Sequence, residues 1–150
     1  MFRNHMDRAL EEAAAAAARG ETPVGAVLTG LDGQVLAADG NRVRELSDPT
    51  AHAEVLVLRE GARVLGSERL TGCGLTVTLE PCPMCAGAIA HARIGKLWYG
   101  AEDPKGGGVA HGARVFSHPT CHHAPEVYGG IQEAECAALL RDFFGSLRGA

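Results

Sequence analysis

Two short clusters of residues in this 150-residue chain have the side-chain types and the spacing of a metal centre. One is His-Ala-Glu at positions 52–54, and the other is Pro-Cys-Pro-Met-Cys at positions 81–85. Cys82 and Cys85 are three residues apart at the predicted start of a helix, so their sulfurs point the same way. A helix N-terminus favours the thiolate, which is the form that binds metal. With His52 they form a Cys₂His set of three ligands, which leaves a fourth position open for water, as in catalytic zinc sites.

Glu54 follows His52 too closely for both side chains to bind one ion from the middle of a helix, because such residues point roughly 200° apart. At a frayed first turn, His52 can reach the metal while the Glu54 carboxylate lies over the open position. We therefore predict that Glu54 shuttles protons and is not a ligand. The pairing of H-x-E with P-C-x-x-C matches the known signature of zinc nucleobase deaminases, and the mechanism is taken from that match: zinc activates a water, and Glu54 moves protons to the ring nitrogen and the departing ammonia.

The elements that must position these motifs alternate between helix and strand. The second helix is expected to start near Asp48-Pro49-Thr50, where Asp or Thr can cap it. Helical and alternating apolar patterns predict helices over 6–19, from about 50, over 82–93 and at the C-terminus, and strands over 24–28, 34–38, 75–79, 96–100 and 126–128. This order predicts an α/β fold, a three-layer α/β/α sandwich with a mixed five-stranded sheet, in one domain spanning residues 1–150.

Composition excludes several classes of protein. No apolar run approaches the ~20 residues that a membrane span needs, and the N-terminus has no signal-peptide core, so we expect a cytoplasmic protein without a membrane partner. Five cysteines are poor material for a disulfide framework. The formal net charge of −4 argues mildly against a nucleic-acid partner. A local basic patch is still expected from some of the cationic residues, namely Arg42, Arg44, Arg93, Lys96, Lys105, Arg114, Arg141 and Arg148.

Beyond the metal motifs, the sequence resembles the bacterial tRNA-specific adenosine deaminases of the cytidine and deoxycytidylate deaminase superfamily. The resemblance covers nearly the whole chain and is carried by 22–27, 48–54, 78–89, 91–94, 103–105, 135–140 and 142–144. It implies a cytidine deaminase-like fold with one zinc ion per subunit, in a homodimer whose active sites lie near the interface. It also implies conversion of adenosine to inosine at the wobble position of a tRNA anticodon, with an arginine tRNA as the expected substrate.

The same resemblance assigns five residues to substrate binding. Val24 matches a wall of the base pocket, and Asn41 matches the position that hydrogen-bonds the flipped base, where an amide can both donate and accept. Asp103 and Lys105 match a turn that contacts flanking nucleotides of the anticodon stem-loop. Phe144 matches a C-terminal aromatic residue beside the loop nucleotides, where it would contribute stacking.

Three other interpretations of the metal motifs remain open. A zinc deaminase of a free base or nucleotide, such as guanine or cytosine, would use the same four residues, and the acidic net charge favours it. A thioredoxin-type redox pair at Cys82 and Cys85 would leave the His-Ala-Glu motif unexplained. A closed structural zinc site would need a fourth ligand, such as Cys121 or His123, and would leave Glu54 without a role.

Several other histidines, cysteines and aromatic residues have simpler interpretations than chemistry. The His-rich segment 118–123 could bind a second metal, although solvated loop residues are the preferred interpretation. Cys136 lies on an apolar helix stripe and is expected in the core. At least one of Phe143 and Phe144 is also expected to be a core residue.

Overall fold

The chain folds into a mixed sheet with helices on both faces. A computed structural model describes its residues 4–148. The elements in chain order are α1 Met6–Ala18, β1 Gly25–Thr29, β2 Val35–Gly40, α2 Ala53–Leu65, β3 Gly74–Leu79, α3 Pro83–Ala92, β4 Lys96–Ala101, a short 3₁₀ helix Val115–Ser117, β5 Glu126–Tyr128 and α4 Glu133–Arg148. No helix within residues 4–148 is long and apolar enough to cross a lipid bilayer.

The five strands are arranged in the order β2-β1-β3-β4-β5. β1 pairs antiparallel with both β2 and β3, whereas β3, β4 and β5 run parallel to one another. Because β3 and β4 are parallel, the chain must cross between them, and α3 is that crossover. The predicted mixed five-stranded sheet is confirmed.

Alternating side chains of β1 supply the core on both faces of the sheet. Ala26 and Leu28 pack with buried residues of α2 and α3, whereas Val27 packs with buried residues of α1 and α4. Successive residues of a strand point to opposite faces, so one apolar strand serves two helix layers. The three-layer α/β/α sandwich is therefore also confirmed.

The Ala-rich α1 lies unusually close to the sheet. Ala9, Ala13 and Ala16 are its buried side chains together with Met6. A Cβ atom on Gly25 of β1 would lie 1.9 Å from the Ala9 carbonyl oxygen, so only glycine fits at that position. Small residues on both elements thus allow this close packing.

The start of α2 differs from the prediction. The helix begins at Ala53, and His52 precedes it with an extended backbone. Asp48 instead closes a local turn, because its Oδ1 accepts hydrogen bonds from the Thr50 backbone N–H and hydroxyl at 2.8 and 2.7 Å. The side-chain hydrogen bonds of Asp48 thus stabilise a turn and do not cap the helix, which starts after this turn.

Candidate active site

Two helix N-termini meet at the predicted metal motifs. His52 and Cys82 occupy the positions just before α2 and α3, each with an extended backbone, and the two helices pack against each other. Cys85 lies in the first turn of α3, and Glu54 lies in the first turn of α2. The non-helical backbone at His52 and Cys82 lets both side chains turn toward the same point, as the spacing argument requires.

The three predicted ligands have the separations that zinc demands. The Nδ1 atom of His52 lies 3.7 Å from the Cys82 sulfur and 3.5 Å from the Cys85 sulfur. Tetrahedral zinc with ordinary Zn–N and Zn–S bonds would place a ligand nitrogen about 3.6 Å from a ligand sulfur. Within residues 4–148, these three side chains form the one group of potential ligands close enough to hold an ion. The donor set therefore fits zinc.

The two thiols of the metal site differ in how readily they lose a proton. The pKa of Cys82 is lowered to about 4, because its sulfur accepts hydrogen bonds from the Cys85 thiol and from His52. Cys82 is thus a thiolate at neutral pH. The pKa of Cys85 is raised, because this thiol donates to Cys82 and is buried. A metal that binds both sulfurs must displace the proton of Cys85, so binding strengthens as pH rises.

Glu54 is a buried carboxylate with an unpartnered oxygen. The residue is 3% exposed, and its Oε1 atom has no hydrogen-bond partner in the structure. Burial raises the pKa of Glu54 to about 7. Buried polar atoms are almost always paired, so an exception in a cleft indicates a functional group. This is the expected environment of a residue that exchanges protons near neutral pH.

A cleft of about 510 Å³ opens above these residues. Four of the five residues assigned to substrate binding line it, together with Glu54 and two of the metal ligands, His52 and Cys82; Lys105 is exposed beside it. The lining residues are Gly20, Glu21, Thr22, Val24, Asn41, Val43, Arg44, His52, Glu54, Leu79, Glu80, Cys82, Asp103, Gly106, Phe143, Phe144 and Leu147. Residues assigned from the resemblance and residues assigned from the spacing are therefore brought together in one cavity.

Asn41 presents one particular end of its amide to the cleft. Its Oδ1 accepts a hydrogen bond of 2.8 Å from the Ala53 N–H, the first amide of α2. Its own backbone N–H donates to the Val24 carbonyl at 3.1 Å, and Arg19 donates to its carbonyl at 3.0 Å. Because the side-chain oxygen is engaged, the amide nitrogen is the group left for a ligand. Asn41 thus has an amide nitrogen free to donate into the cleft, whereas its oxygen is held by the helix.

The two C-terminal phenylalanines lie at the cleft and not in the core. Phe144 is 41% exposed and Phe143 is half-buried, and the two rings make an edge contact with centroids 5.5 Å apart. The expectation that at least one of them is a core residue is wrong, because the packing of α4 on the sheet is completed by Cys136, Ala137 and Leu140. Cys136 is 1% exposed, so its predicted core position is confirmed.

The His-rich segment 118–123 forms no second metal group. His118 donates from Nε2 to the Ala113 carbonyl at 2.6 Å, and His123 donates from Nε2 to the Ile94 carbonyl at 2.7 Å. The segment lines a separate cavity of about 250 Å³ along α3. Neither Cys121 nor His123 joins the three zinc ligands, so the closed four-ligand site lacks its fourth member.

Two buried glutamates at the cleft were missed from the sequence. Glu21 accepts the backbone N–H groups of Arg44 and Glu45 at 3.1 and 2.8 Å. Glu80 accepts several N–H groups from the loop after β4. A charged residue directly after the apolar strand β3 was the one available signal for Glu80, because such a position is rarely charged without a partner.

A Cys₂His site at two helix starts, with an acidic residue beside it on an α/β/α sheet, defines the class of zinc-dependent deaminases. Residues 2–101 match the cytidine and deoxycytidylate deaminase zinc-binding region, and the chain belongs to this family. Zinc is accordingly its cofactor, and His52, Cys82 and Cys85 are the residues that can hold it.

Similar proteins place the chain within one branch of that family. It is 59% identical to a tRNA-specific adenosine deaminase of Agrobacterium fabrum, over 95% of this chain and 93% of the relative. A structure from studies of A-to-I editing by tRNA:A34 deaminases at the wobble position of transfer RNA superimposes with a TM-score of 0.90 at 60% identity, over 92% of this chain and 100% of that one. A guanine deaminase from Bacillus subtilis is 31% identical with a TM-score of 0.66, over 99% and 96% of the two chains. The predicted resemblance is confirmed.

Proposed function

We propose that this chain hydrolyses adenosine to inosine and ammonia at the wobble position of a tRNA anticodon, with an arginine tRNA as the expected substrate. The observation that carries the proposal is the 59% identity to a tRNA-specific adenosine deaminase over nearly the full length of both chains. The likeness to the tRNA:A34 deaminase structure supports the same substrate.

The chemistry follows from the groups at the floor of the cleft. A zinc ion held by His52, Cys82 and Cys85 supplies Lewis acidity, which makes water a nucleophile at neutral pH. Glu54 takes a proton from the attacking water through its unpartnered Oε1. It delivers that proton to the ring nitrogen, then takes the second proton from the hydroxyl added to the ring carbon and passes it to the leaving amino group, so that adenosine and water become inosine and ammonia. The burial of Glu54 keeps its carboxylate ready to exchange protons in this sequence.

Substrate contacts are assigned to the walls of the cleft. The amide nitrogen of Asn41 donates to an acceptor on the flipped base, and Val24 forms an apolar wall. Phe144 stacks on a loop nucleotide, since its exposed ring faces the opening. Asp103 and Lys105 contact nucleotides on either side of the reacting adenosine.

The proposal also includes the oligomeric state and the cellular location of the enzyme. We expect one deaminase domain over residues 1–150, one zinc ion per subunit, and a homodimer with each active site near the interface. The protein acts in the cytoplasm, where its tRNA substrate is found.

A side-by-side deamination assay on the zinc-loaded protein tests the substrate. One arm contains an arginine anticodon stem-loop with adenosine at the wobble position, and a second contains the same stem-loop with guanosine there. A third arm contains free adenosine, cytidine, cytosine and guanine, with ammonia as the readout. We expect inosine in the first arm alone.

Ammonia from free guanine or cytosine, with no inosine in RNA, would reject the tRNA proposal and support a free-base deaminase. The likeness to a guanine deaminase is the observation that favours this second candidate. Glu54→Gln is the matched inactive control, because it keeps the side-chain volume and removes the proton exchange. We expect at least about a 100-fold loss of kcat with unchanged zinc content. Retained turnover would exclude Glu54 as the proton shuttle.

A further inference from the structure

Glu80 receives five hydrogen bonds, although it takes no part in zinc binding. It follows β3 directly and is 2% exposed. Its Oε2 accepts the backbone N–H groups of Val109, Ala110 and His111 at 3.2, 3.0 and 3.0 Å. Its Oε1 accepts the backbone N–H of Asp103 at 3.1 Å and the Nδ1–H of His111 at 2.8 Å. All five donors belong to one segment, which we call the 103–111 loop.

The 103–111 loop also contacts the turn that carries the first cysteine ligand. The Gly108 N–H donates to the Pro81 carbonyl at 2.8 Å. A Cβ atom on Gly108 would lie 2.5 Å from the Pro83 nitrogen, and one on Gly107 would lie 2.3 Å from Oε2 of Glu80. The loop is therefore packed against both Glu80 and the ligand turn, with no room for a side chain at either glycine.

The N-terminal part of this loop lies at the substrate cleft. Asp103 and Gly106 line the cleft, and Lys105 is exposed between them. Oδ1 of Asp103 accepts the N–H groups of Lys105 and Gly106 at 3.2 and 2.9 Å, which shapes the turn. The Asp103 N–H is in turn held by Glu80, so the carboxylate fixes the point from which this turn leaves β4.

We propose that Glu80 is a positioning residue for RNA recognition, which fixes the 103–111 loop so that Asp103 and Lys105 meet the nucleotides beside the reacting adenosine. This inference rests on the proposed function. Although Glu80 borders the cleft, it is 2% exposed and both of its carboxylate oxygens are occupied by the loop, so it acts through the loop. A carboxylate suits the position because it offers acceptor sites only, and every partner is a donor.

Glu80→Gln is the most selective test, because it preserves shape and replaces one acceptor oxygen with a donor NH₂ group. His111 can change tautomer to accept from that NH₂, but the backbone N–H groups cannot. We expect KM for the anticodon stem-loop to rise about tenfold or more, while kcat changes less than about threefold and zinc content is unchanged. Glu68→Gln, at an exposed position, removes the same charge and should leave both constants unchanged.

A double-mutant cycle with Lys105→Ala separates positioning from general destabilisation. If Glu80 acts by placing Lys105, Glu80→Gln should raise KM much less in the Lys105→Ala background than in the wild type. Independent effects of the two substitutions would overturn the proposal. So would an unchanged KM in Glu80→Gln, or a loss of zinc from it, which would assign Glu80 to the ligand turn.

Two further measurements test the role of Glu80 if Glu80→Gln fails to fold or if the substrate differs from the one proposed. Gly107→Ala disturbs the same contact from the loop side, and it should reproduce the rise in KM if Glu80→Gln fails to fold. Amide hydrogen exchange at residues 109–111 should accelerate in Glu80→Gln whatever the substrate is. A wild-type protein inactive on the stem-loop would reject the proposed function, whereas unaltered exchange at these amides would reject the anchoring by Glu80.

Discussion

Asn41 illustrates how one side chain serves both the fold and the site. Its oxygen accepts a hydrogen bond from the first N–H of α2, the helix that follows His52 and carries Glu54, and its nitrogen remains available to a ligand. Under the proposed function, this bond would couple recognition of the base to the position of α2. The amide orientation is unambiguous, because a backbone N–H can only donate.

The two functions of Asn41 can be separated by substitution. In Asn41→Asp one oxygen keeps the bond to Ala53, and a carboxylate at a helix N-terminus is favourable, so stability should be retained. The donor toward substrate is replaced by an acceptor, so we expect KM for the stem-loop to rise at least about tenfold. Steady-state kinetics and thermal unfolding measure the two effects.

Asn41→Ala is the comparison variant for this prediction. It loses both contacts, so it should bind substrate weakly and also lose about 1 kcal/mol of unfolding free energy. Equal KM values for Asn41→Asp and the wild type would contradict the donor role.

At the scale of secondary structure, the type of each element was predictable and the start of the catalytic helix was not. Val55, Leu58, Ala62 and Leu65 have helical spacing, and α2 contains them all. The helix nevertheless begins at Ala53, because its first amide is capped from Asn41, twelve residues upstream. A cap supplied by tertiary contact leaves no signature near the helix start.

The residues of the candidate site were likewise predictable only in part. His52, Glu54, Cys82 and Cys85 could be predicted, because their chemistry requires fixed spacing in the sequence. Glu80 could not, since its partners are backbone N–H groups of a loop that any residue could supply.

The packing of α1 on β1 gives a prediction about elements. Gly25→Ala would place a methyl group against the Ala9 carbonyl, and the helix would have to move away from the sheet. We expect a loss of about 1–3 kcal/mol in the free energy of unfolding, measured by urea denaturation. Gly145→Ala is the matched control, because nothing lies within 4 Å of its added Cβ and alanine favours the α4 helix. A stability for Gly25→Ala equal to that of the wild type would contradict the close approach.

At the scale of the whole molecule, net charge is a poor guide to the partner. Arg42 is neutralised by Asp39 and Glu45, with nitrogen–oxygen distances of 2.9 Å in both ion pairs. It therefore contributes little to a basic patch, contrary to what its charge suggests. Arg44 lines the cleft and Lys105 lies beside it, so positive charge is placed where RNA would approach. The total of −4 averages over this local arrangement.

The two buried glutamates also determine how the fold responds to acid. Burial would raise the pKa of Glu21, but hydrogen bonds from the Glu45 and Arg44 backbone N–H groups, aided by the charges of Arg19 and Arg44, lower it below 4.5. Burial would likewise raise the pKa of Glu80. Hydrogen bonds from His111 and from backbone N–H groups outweigh this effect, so the pKa of Glu80 is lowered. A carboxyl group whose pKa is lower in the folded than in the unfolded state stabilises the fold fully when the pH is above its unfolded-state pKa. That contribution is lost as the pH falls through its folded-state pKa.

Glu21→Gln should therefore cost stability at neutral pH and progressively less in acid. At pH 7 we expect a loss of about 1–3 kcal/mol, because an NH₂ group would face backbone donors. Below about pH 4.5 the wild type loses its own advantage, so the unfolding curves of the two proteins should converge. Acid also releases zinc by protonating the thiolates, but this affects both proteins alike and cancels in their difference. Urea denaturation from pH 7 to pH 3 measures that difference, with Glu68→Gln as the control for net charge; a difference that stays constant with pH would show that Glu21 carries no ionised-state stabilisation.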